Sequence, residues 1–122
     1  MAGYSTAAKN AGANSIRALL TSNTGFVSMH TADPGSTGTS EVTGTGYARG
    51  SSLFATASGG SCAGAQASVT MPTGASTTVT FWGLWDAVTG GNWVTGGAVT
   101  PSETFSTSGG AFQFTPTITA TG

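Results

Sequence analysis

The residues of this chain that could carry chemistry are few, and two of them lie close together. The stretch SMHTADPGSTG, residues 28–38, holds the one histidine, His30, with Asp33 three positions after it. A histidine beside a carboxylate can transfer protons or bind a metal. On a strand, however, residues three apart point to opposite faces, and a metal site needs further ligands that this chain barely contains. The spacing therefore predicts that His30 ends a strand and is neither catalytic nor a metal ligand.

Asp33, Pro34 and Gly35 have the residue types of a tight turn. Aspartate suits the first position because its carboxylate binds nearby backbone N–H groups, and proline presets φ for the second position. Glycine tolerates the positive φ that such a turn requires. We predict that the turn accounts for Asp33 without any catalytic role.

The remaining reactive groups are scattered along the chain. Glu41, Asp86 and Glu103 are far apart, and a glycosidase-like pair of carboxylates is less favoured than solvated acids, with Asp86 opening the turn DAVTGGN. Arg49 precedes an aromatic-rich β region, and we predict a structural ion pair with Asp86 or Glu41. Cys62 has no neighbouring base, which is typical of an inert thiol. No catalytic residue and no cofactor site are predicted.

Composition excludes several classes of function. Charged residues make up only 6% of the chain, against about 25% in ordinary soluble domains, and the net charge is −1. Three basic residues cannot form a nucleic-acid-binding patch, and the apolar runs are too short to span a membrane. A single cysteine forms no internal disulfide, and no secretory signal is visible, so we expect synthesis in a cytoplasm. Low charge removes repulsion between identical copies and favours a subunit of an assembly.

The distribution of apolar residues predicts one domain over residues 1–122. Residues 1–24 read as a helical docking segment, with Ser5 as the N-cap and Asn23 and Gly25 at the C-terminal exit. Residues 25–122 read as an antiparallel, jelly-roll-like β-sandwich, so the fold class is all-β with a short N-terminal helix. Glycine pairs are expected to form turns or bulges at 59–60, 90–91, 96–97 and 109–110.

The stretch TTVTFWGLWD, Thr77–Asp86, is the strongest strand pattern in the chain. Its alternation places Val79, Phe81, Gly83 and Trp85 on one face, and Trp82 and Leu84 on the other. Apolar residues on both faces predict a central strand. Because Trp82 and Trp85 point to opposite sides, they cannot line one sugar- or base-binding groove. We therefore interpret them, with Trp93, as core and interface residues.

Three motifs together resemble a widespread family of small tailed-bacteriophage virion proteins. They are HTADPG at His30–Gly35, YAR at Tyr47–Arg49 and GLWDAVTGG at Gly83–Gly91, and the likeness extends from about Ser5 to Thr119. Members of that family are described as capsid fibre or decoration proteins, or as minor tail or tail-fibre proteins. The resemblance implies a non-enzymatic β-sandwich module in the virion and carries over no catalytic residue.

Three hypotheses of function follow. The first is a capsid decoration or fibre protein on the major capsid lattice, forming a symmetric oligomer, expected to be a trimer, through small apolar residues. The second is a minor tail or tail-fibre protein that contacts the host. The third is a carbohydrate-binding module or an envelope hydrolase, with a host-surface glycan as ligand. The residues expected to serve structure or interfaces are His30, Asp33, Pro34, Gly35, Tyr47, Arg49, Trp82, Trp85, Asp86 and Trp93.

Overall fold

The computed structural model describes residues 4–119, which form one helix and eight strands. In chain order these are α1 (Thr6–Arg17), β1 (Thr24–His30), β2 (Gly50–Leu53), β3 (Ser61–Ala63), β4 (Ala67–Met71), β5 (Thr77–Trp85), β6 (Trp93–Phe105), β7 (Gly110–Phe114) and β8 (Thr117–Thr119).

The strands form one four-stranded sheet and two strand pairs, all antiparallel. The sheet has the order β2-β1-β5-β6, and the pairs are β3-β8 and β4-β7. Along β4, alternate residues are buried, and Val69 and Met71 join Val27 and Met29 of β1 in one apolar core. This alternation is what a strand with one buried face requires. The all-β, sandwich-like fold is confirmed.

Strand β5 is central, as its apolar pattern predicts. It pairs with β1 on one side, with Trp82 opposite Met29, and with β6 on the other. The register with β6 shifts between Val79 and Phe81, and Val79 is buried in the core together with Trp82 and Leu84. The predicted face of Val79 is therefore wrong, because a β-bulge reverses the alternation.

Three of the four glycine pairs lie where a turn needs positive φ, namely 59–60, 90–91 and 109–110. The prediction is wrong for Gly96 and Gly97, which lie inside β6 opposite Gly83 and Trp82. A Cβ on Gly96 would lie 2.9 Å from the ring of Trp93, and one on Gly97 would lie 2.9 Å from Nε1 of Trp82. These glycines make room for aromatic rings instead of turning the chain.

The helix begins where the sequence predicts and ends earlier. The N–H of Ala8 donates to Oγ of Ser5 at 3.1 Å, which confirms Ser5 as the N-cap. The last helical residue is Arg17, so the predicted exit at residues 23–25 is wrong. Asn23 adopts a φ of 61° in the separate turn that leads into β1. After Arg17 the backbone N–H groups of Leu19 and Leu20 bond to carbonyls three residues back, which closes the last turn.

The helix is fastened to the sandwich through polar side chains. Ala13 is buried, and three side chains bind backbone atoms of residues 54–60: Asn10 Oδ1 accepts from Gly60 (2.7 Å), Asn14 Oδ1 accepts from Ala57 (2.9 Å), and Arg17 Nε donates to the Phe54 carbonyl (2.9 Å). No helix in residues 4–119 is long and apolar enough to cross a membrane. Docking of residues 1–24 onto a virion stays a prediction.

We expect Asn14→Ala to lower the free energy of unfolding by about 1–3 kcal/mol, because the half-buried N–H of Ala57 loses its acceptor. The neighbouring Ser15 is exposed on the same helix, so Ser15→Ala should change stability by less than about 0.5 kcal/mol. Urea unfolding of both variants measures the difference. Equal stabilities would contradict this role of Asn14.

Candidate functional site: the His30 and Arg49 clusters

Strand β1 ends at His30, and the predicted turn follows it. Asp33 Oδ1 accepts a hydrogen bond from the N–H of Gly35 at 2.8 Å, and Gly35 has a φ of 62°. The carbonyl of Pro34 then accepts from the backbone N–H groups of Gly38 and Thr39. The turn is confirmed as the local role of Asp33. The hydrogen bonds of His30 go to other residues.

The His30 cluster consists of Ser28, His30 and Trp85 with the carbonyl of Thr39. His30 Nδ1 lies 2.7 Å from that carbonyl oxygen, which can only accept, so Nδ1 carries the proton. Nε2 therefore accepts from the Ser28 hydroxyl at 2.7 Å, and Ser28 Oγ accepts from the indole Nε1–H of Trp85 at 2.9 Å. Each donor in this series of hydrogen bonds faces an acceptor, which fixes the neutral tautomer of His30.

The Ser28–His30 contact has the length of a nucleophile and its base, but both side chains are fully buried, with 0% exposure. No substrate atom can reach either of them in this conformation. Burial lowers the pKa of His30, and this effect outweighs the hydrogen bond to Thr39, which acts in the opposite direction. The arrangement therefore holds a neutral imidazole in place beneath the 31–40 loop.

The Arg49 cluster consists of Glu41, Tyr47 and Arg49 around the ring of Trp85. Arg49 binds Glu41 through two bonds of 2.8 Å, from Nε to Oε2 and from Nη2 to Oε1. Its Cζ lies 4.1 Å from the centre of the Trp85 ring, a cation–π distance. The arginine side chain is only 7% exposed. The predicted ion pair is confirmed, with Glu41 as the partner.

Tyr47 completes the pairing of Glu41. Its hydroxyl donates to Glu41 Oε2 at 2.8 Å and accepts from the backbone N–H of Met29 at 3.2 Å. Burial raises the pKa of Tyr47, so the phenol stays protonated. Burial alone would also raise the pKa of Glu41, but the hydrogen bonds from Arg49 and Tyr47 outweigh it and lower the pKa below its ordinary 4.5.

Asp86, the other candidate partner of Arg49, closes its own turn instead. Its two carboxylate oxygens accept from the backbone N–H (2.7 Å) and the side-chain amide (2.9 Å) of Asn92. These two hydrogen bonds lower the pKa of Asp86. Arg49 reaches the same turn through Nη1, which donates to the carbonyls of Ala87 and Gly90, both at 2.9 Å. Four of its five N–H groups are thus engaged.

Trp82 and Trp85 lie on opposite sides of the sheet, as their alternation predicts, and an interface role for the tryptophans stays a prediction. Trp82 packs on Phe114 in the core, with ring centres 5.4 Å apart. Trp85 and Trp93 meet edge to face on the opposite side of the sheet, 5.3 Å apart, and Trp93 also meets the ring of His30 at 5.5 Å. Gly38, with a φ of 80°, lies over both indoles, since a Cβ there would be 2.6 Å from each ring.

The chemistry that remains is limited. Within residues 4–119, no three histidine, cysteine or acidic side chains lie close enough to hold a metal ion. Burial raises the pKa of Cys62, which disfavours its thiolate. The clusters therefore act as cross-links: the Arg49 cluster joins the 41–49 segment to the 86–92 turn, and the His30 cluster joins β1 to the 31–40 loop.

Sequence reasoning missed the partners that come from elsewhere in the chain. Ser28 lies two residues before His30 on the same strand face, so the strand period could have identified it. The contact of Tyr47 with Glu41, and the position of Gly38 over the indoles, depend on how loops fold back. No spacing rule connects those residues.

We expect Arg49→Lys to lower the free energy of unfolding by about 2–4 kcal/mol. Lysine keeps the charge, but it cannot bind Glu41 through two parallel bonds while also reaching two carbonyls of the 86–92 turn. Arg17→Lys is the matched control, because the structure records one hydrogen bond for that side chain, to Phe54. Urea unfolding should show the smaller loss at position 17. The cross-linking role is wrong if position 49 tolerates lysine as well.

As the pH is lowered from 6.5 towards the pKa of His30 in the folded chain, the free energy of unfolding should fall. The unfolded chain, with a histidine pKa near 6.5, binds a proton in that range that the folded chain excludes. Glu41 also lowers the free energy of unfolding when it is protonated, but only at a pH below 4.5, the ordinary pKa of that carboxyl. Urea unfolding at a series of pH values, with an NMR titration of the imidazole, measures both quantities. A His30 pKa at or above 6.5, or equal stability at pH 7.5 and about 5.5, would contradict the assignment.

Comparison with known proteins supports a virion role. A search of curated proteins finds no match. Residues 3–120 match the family model described as Podophage GP4 fiber I protein gp80. The match spans nearly the whole chain and includes both clusters, and it confirms the resemblance to phage virion proteins. The chain therefore belongs to the podophage GP4 fiber I protein gp80 family, and it is a structural protein of bacteriophage virions.

Proposed function

We propose that this chain is a non-enzymatic fibre module that joins the podophage virion as a symmetric oligomer. The observation that carries the proposal is the family match over residues 3–120, since the family is named for a fibre protein. The sequence left open where the chain lies on the particle, and the name of the family favours a fibre over decoration of the capsid lattice. The full burial of Ser28 and His30 supports a structural rather than catalytic use of the chain's one histidine.

The outer edge of β6 is the surface best suited to contact another copy. β6 is the longest strand, with 13 residues, and it pairs only with β5. Its outer backbone groups have no backbone partner within residues 4–119. Natural edge strands are usually protected by lysine, but here the one charged residue is Glu103, near the far end. Two such edges can meet without bringing like charges together along residues 93–102.

The residues along this edge are small, as expected for the contact between copies in the oligomer. Residues 94–99 read VTGGAV, and Ala98 is exposed. Small side chains cover little of the edge, which leaves its backbone N–H and C=O groups open to a second strand. Pro101 interrupts the strand where it bulges away from β5, so a pairing ladder is confined to the first half of β6.

We predict that Ala98→Lys dissociates the oligomer, because a lysine on an edge strand disfavours the addition of a second strand. Ala75→Lys is the matched control: Ala75 is exposed in the turn before β5, so the oligomer should persist. Light scattering after size exclusion gives the mass of each variant. A monomeric wild-type chain, or equal masses for both variants, would contradict the proposed contact.

The position on the particle is tested by labelling intact virions. Gold-labelled antibody against the chain should bind at fibres, with few copies per particle by quantitative mass spectrometry. Label spread evenly over the head, with hundreds of copies, would replace the fibre assignment with decoration of the capsid. Turnover of host-envelope polysaccharide by the purified chain would overturn the non-enzymatic part of the proposal.

A further inference from the structure

We propose that the open cavity beside Trp93 binds one neutral sugar ring. The cavity has a volume of about 250 Å³ and lies between the 33–35 turn and strands β5 and β6. The residues that line it are Asp33, Pro34, Gly35, Phe81, Trp93, Gly96 and Gly97. This inference goes beyond the proposed fibre role, because it concerns a ligand rather than a position in the particle.

The aromatic lining supplies one half of sugar recognition. Phe81 and Trp93 are both partly exposed. Trp93 is held in position by edge-to-face contacts with His30 and Trp85. The C–H groups of a pyranose pack on such fixed aromatic surfaces, and a side chain that is already ordered loses little entropy on binding.

Asp33 supplies the other half, a hydrogen-bond acceptor in a fixed position. Its Oδ1 accepts from the N–H of Gly35 at 2.8 Å, which orients the carboxylate. Within residues 4–119 no partner is recorded for Oδ2, so that oxygen can accept a sugar hydroxyl. Hydrogen bonds to a charged acceptor are about twice as strong as neutral ones. A few fixed polar groups beside apolar walls are the usual composition of a small-molecule site.

The glycines give the ligand access to the floor of the cavity. Gly96 and Gly97 lie in β6 without side chains, and a Cβ at Gly96 would meet the Trp93 ring at 2.9 Å. The missing side chain at Gly96 therefore lets the Trp93 ring lie against β6, and the glycine backbone lines the cavity beside it. The side-chain face of β6 is perpendicular to its hydrogen-bonding edge, so a second copy on that edge leaves this face accessible.

Charge selects among sugars. Asp33 is the one charged residue that lines the cavity in the described part of the chain, and no lysine, arginine or histidine lines it. Uronic acids, sialic acids and phosphorylated sugars would meet an unbalanced like charge there. The site therefore fits an uncharged hexose or N-acetylhexosamine unit of a glycan.

The test is an NMR titration of the full chain, labelled with ¹⁵N, with methyl glycosides of glucose, galactose and N-acetylglucosamine. At least one should shift the indole N–H of Trp93 and the amides of Gly35 and Gly97 in a saturable way. Glucuronic acid, the anionic comparator, should bind at least about tenfold more weakly, because it faces Asp33. Absence of any saturable shift at Trp93 with all three neutral glycosides would overturn the proposal.

Two variants assign the site to its residues. Asp33→Asn keeps an oxygen for the Gly35 N–H and removes the charge, so neutral binding should weaken about tenfold and discrimination against glucuronic acid should disappear. Glu103→Gln makes the same change in net charge outside the cavity and should leave binding unchanged. Equal binding by the wild type and Asp33→Asn would overturn the role of the carboxylate. The spectrum of each variant without sugar reports whether the variant folds. Labelling of intact virions tests the fibre assignment separately, so its result does not depend on whether a sugar binds.

Discussion

Arg49 holds the 41–49 segment and the 86–92 turn together. Arg49 binds the Glu41 carboxylate, two carbonyls of the 86–92 turn and the face of Trp85, almost without contact with water. A buried cation is costly to desolvate, and this one is tolerated because four of its five N–H groups are satisfied. Tyr47 then connects the same carboxylate to β1. With only 6% charged residues, the chain has few other means of fixing those loops.

The scarcity of charged residues is also visible in the His30 cluster. Where an ordinary domain would use charged side chains, this one uses a hydroxyl, a neutral imidazole and an indole N–H arranged donor to acceptor. The chain as a whole carries a net charge of only −1, so copies can approach each other without strong repulsion. A rigid, nearly uncharged module suits a protein that is built into a virion. Glu41, Arg49 and Asp86 therefore contribute to architecture.

Local patterns predicted much of the fold. The period of two placed Trp82 and Trp85 on opposite sides of β5, and the residue types Asp33, Pro34 and Gly35 identified the turn. The errors arose where a non-local constraint prevailed: the bulge that turns Val79 into the core, and Gly96, where a ring needs space. Residue types alone limited the predicted ion-pair partners of Arg49 to Glu41 and Asp86. Only the folded loops distinguish them.

The most direct test of the central claim is native-state hydrogen exchange on the wild type and Arg49→Ala. If Arg49 cross-links the loops, the variant loses protection in residues 41–49 and 86–92, while α1 and the β3–β8 pair keep theirs. Protection lost evenly over the whole chain would show that the arginine supports the core in general. Unchanged protection in both segments would show that the loops hold without it.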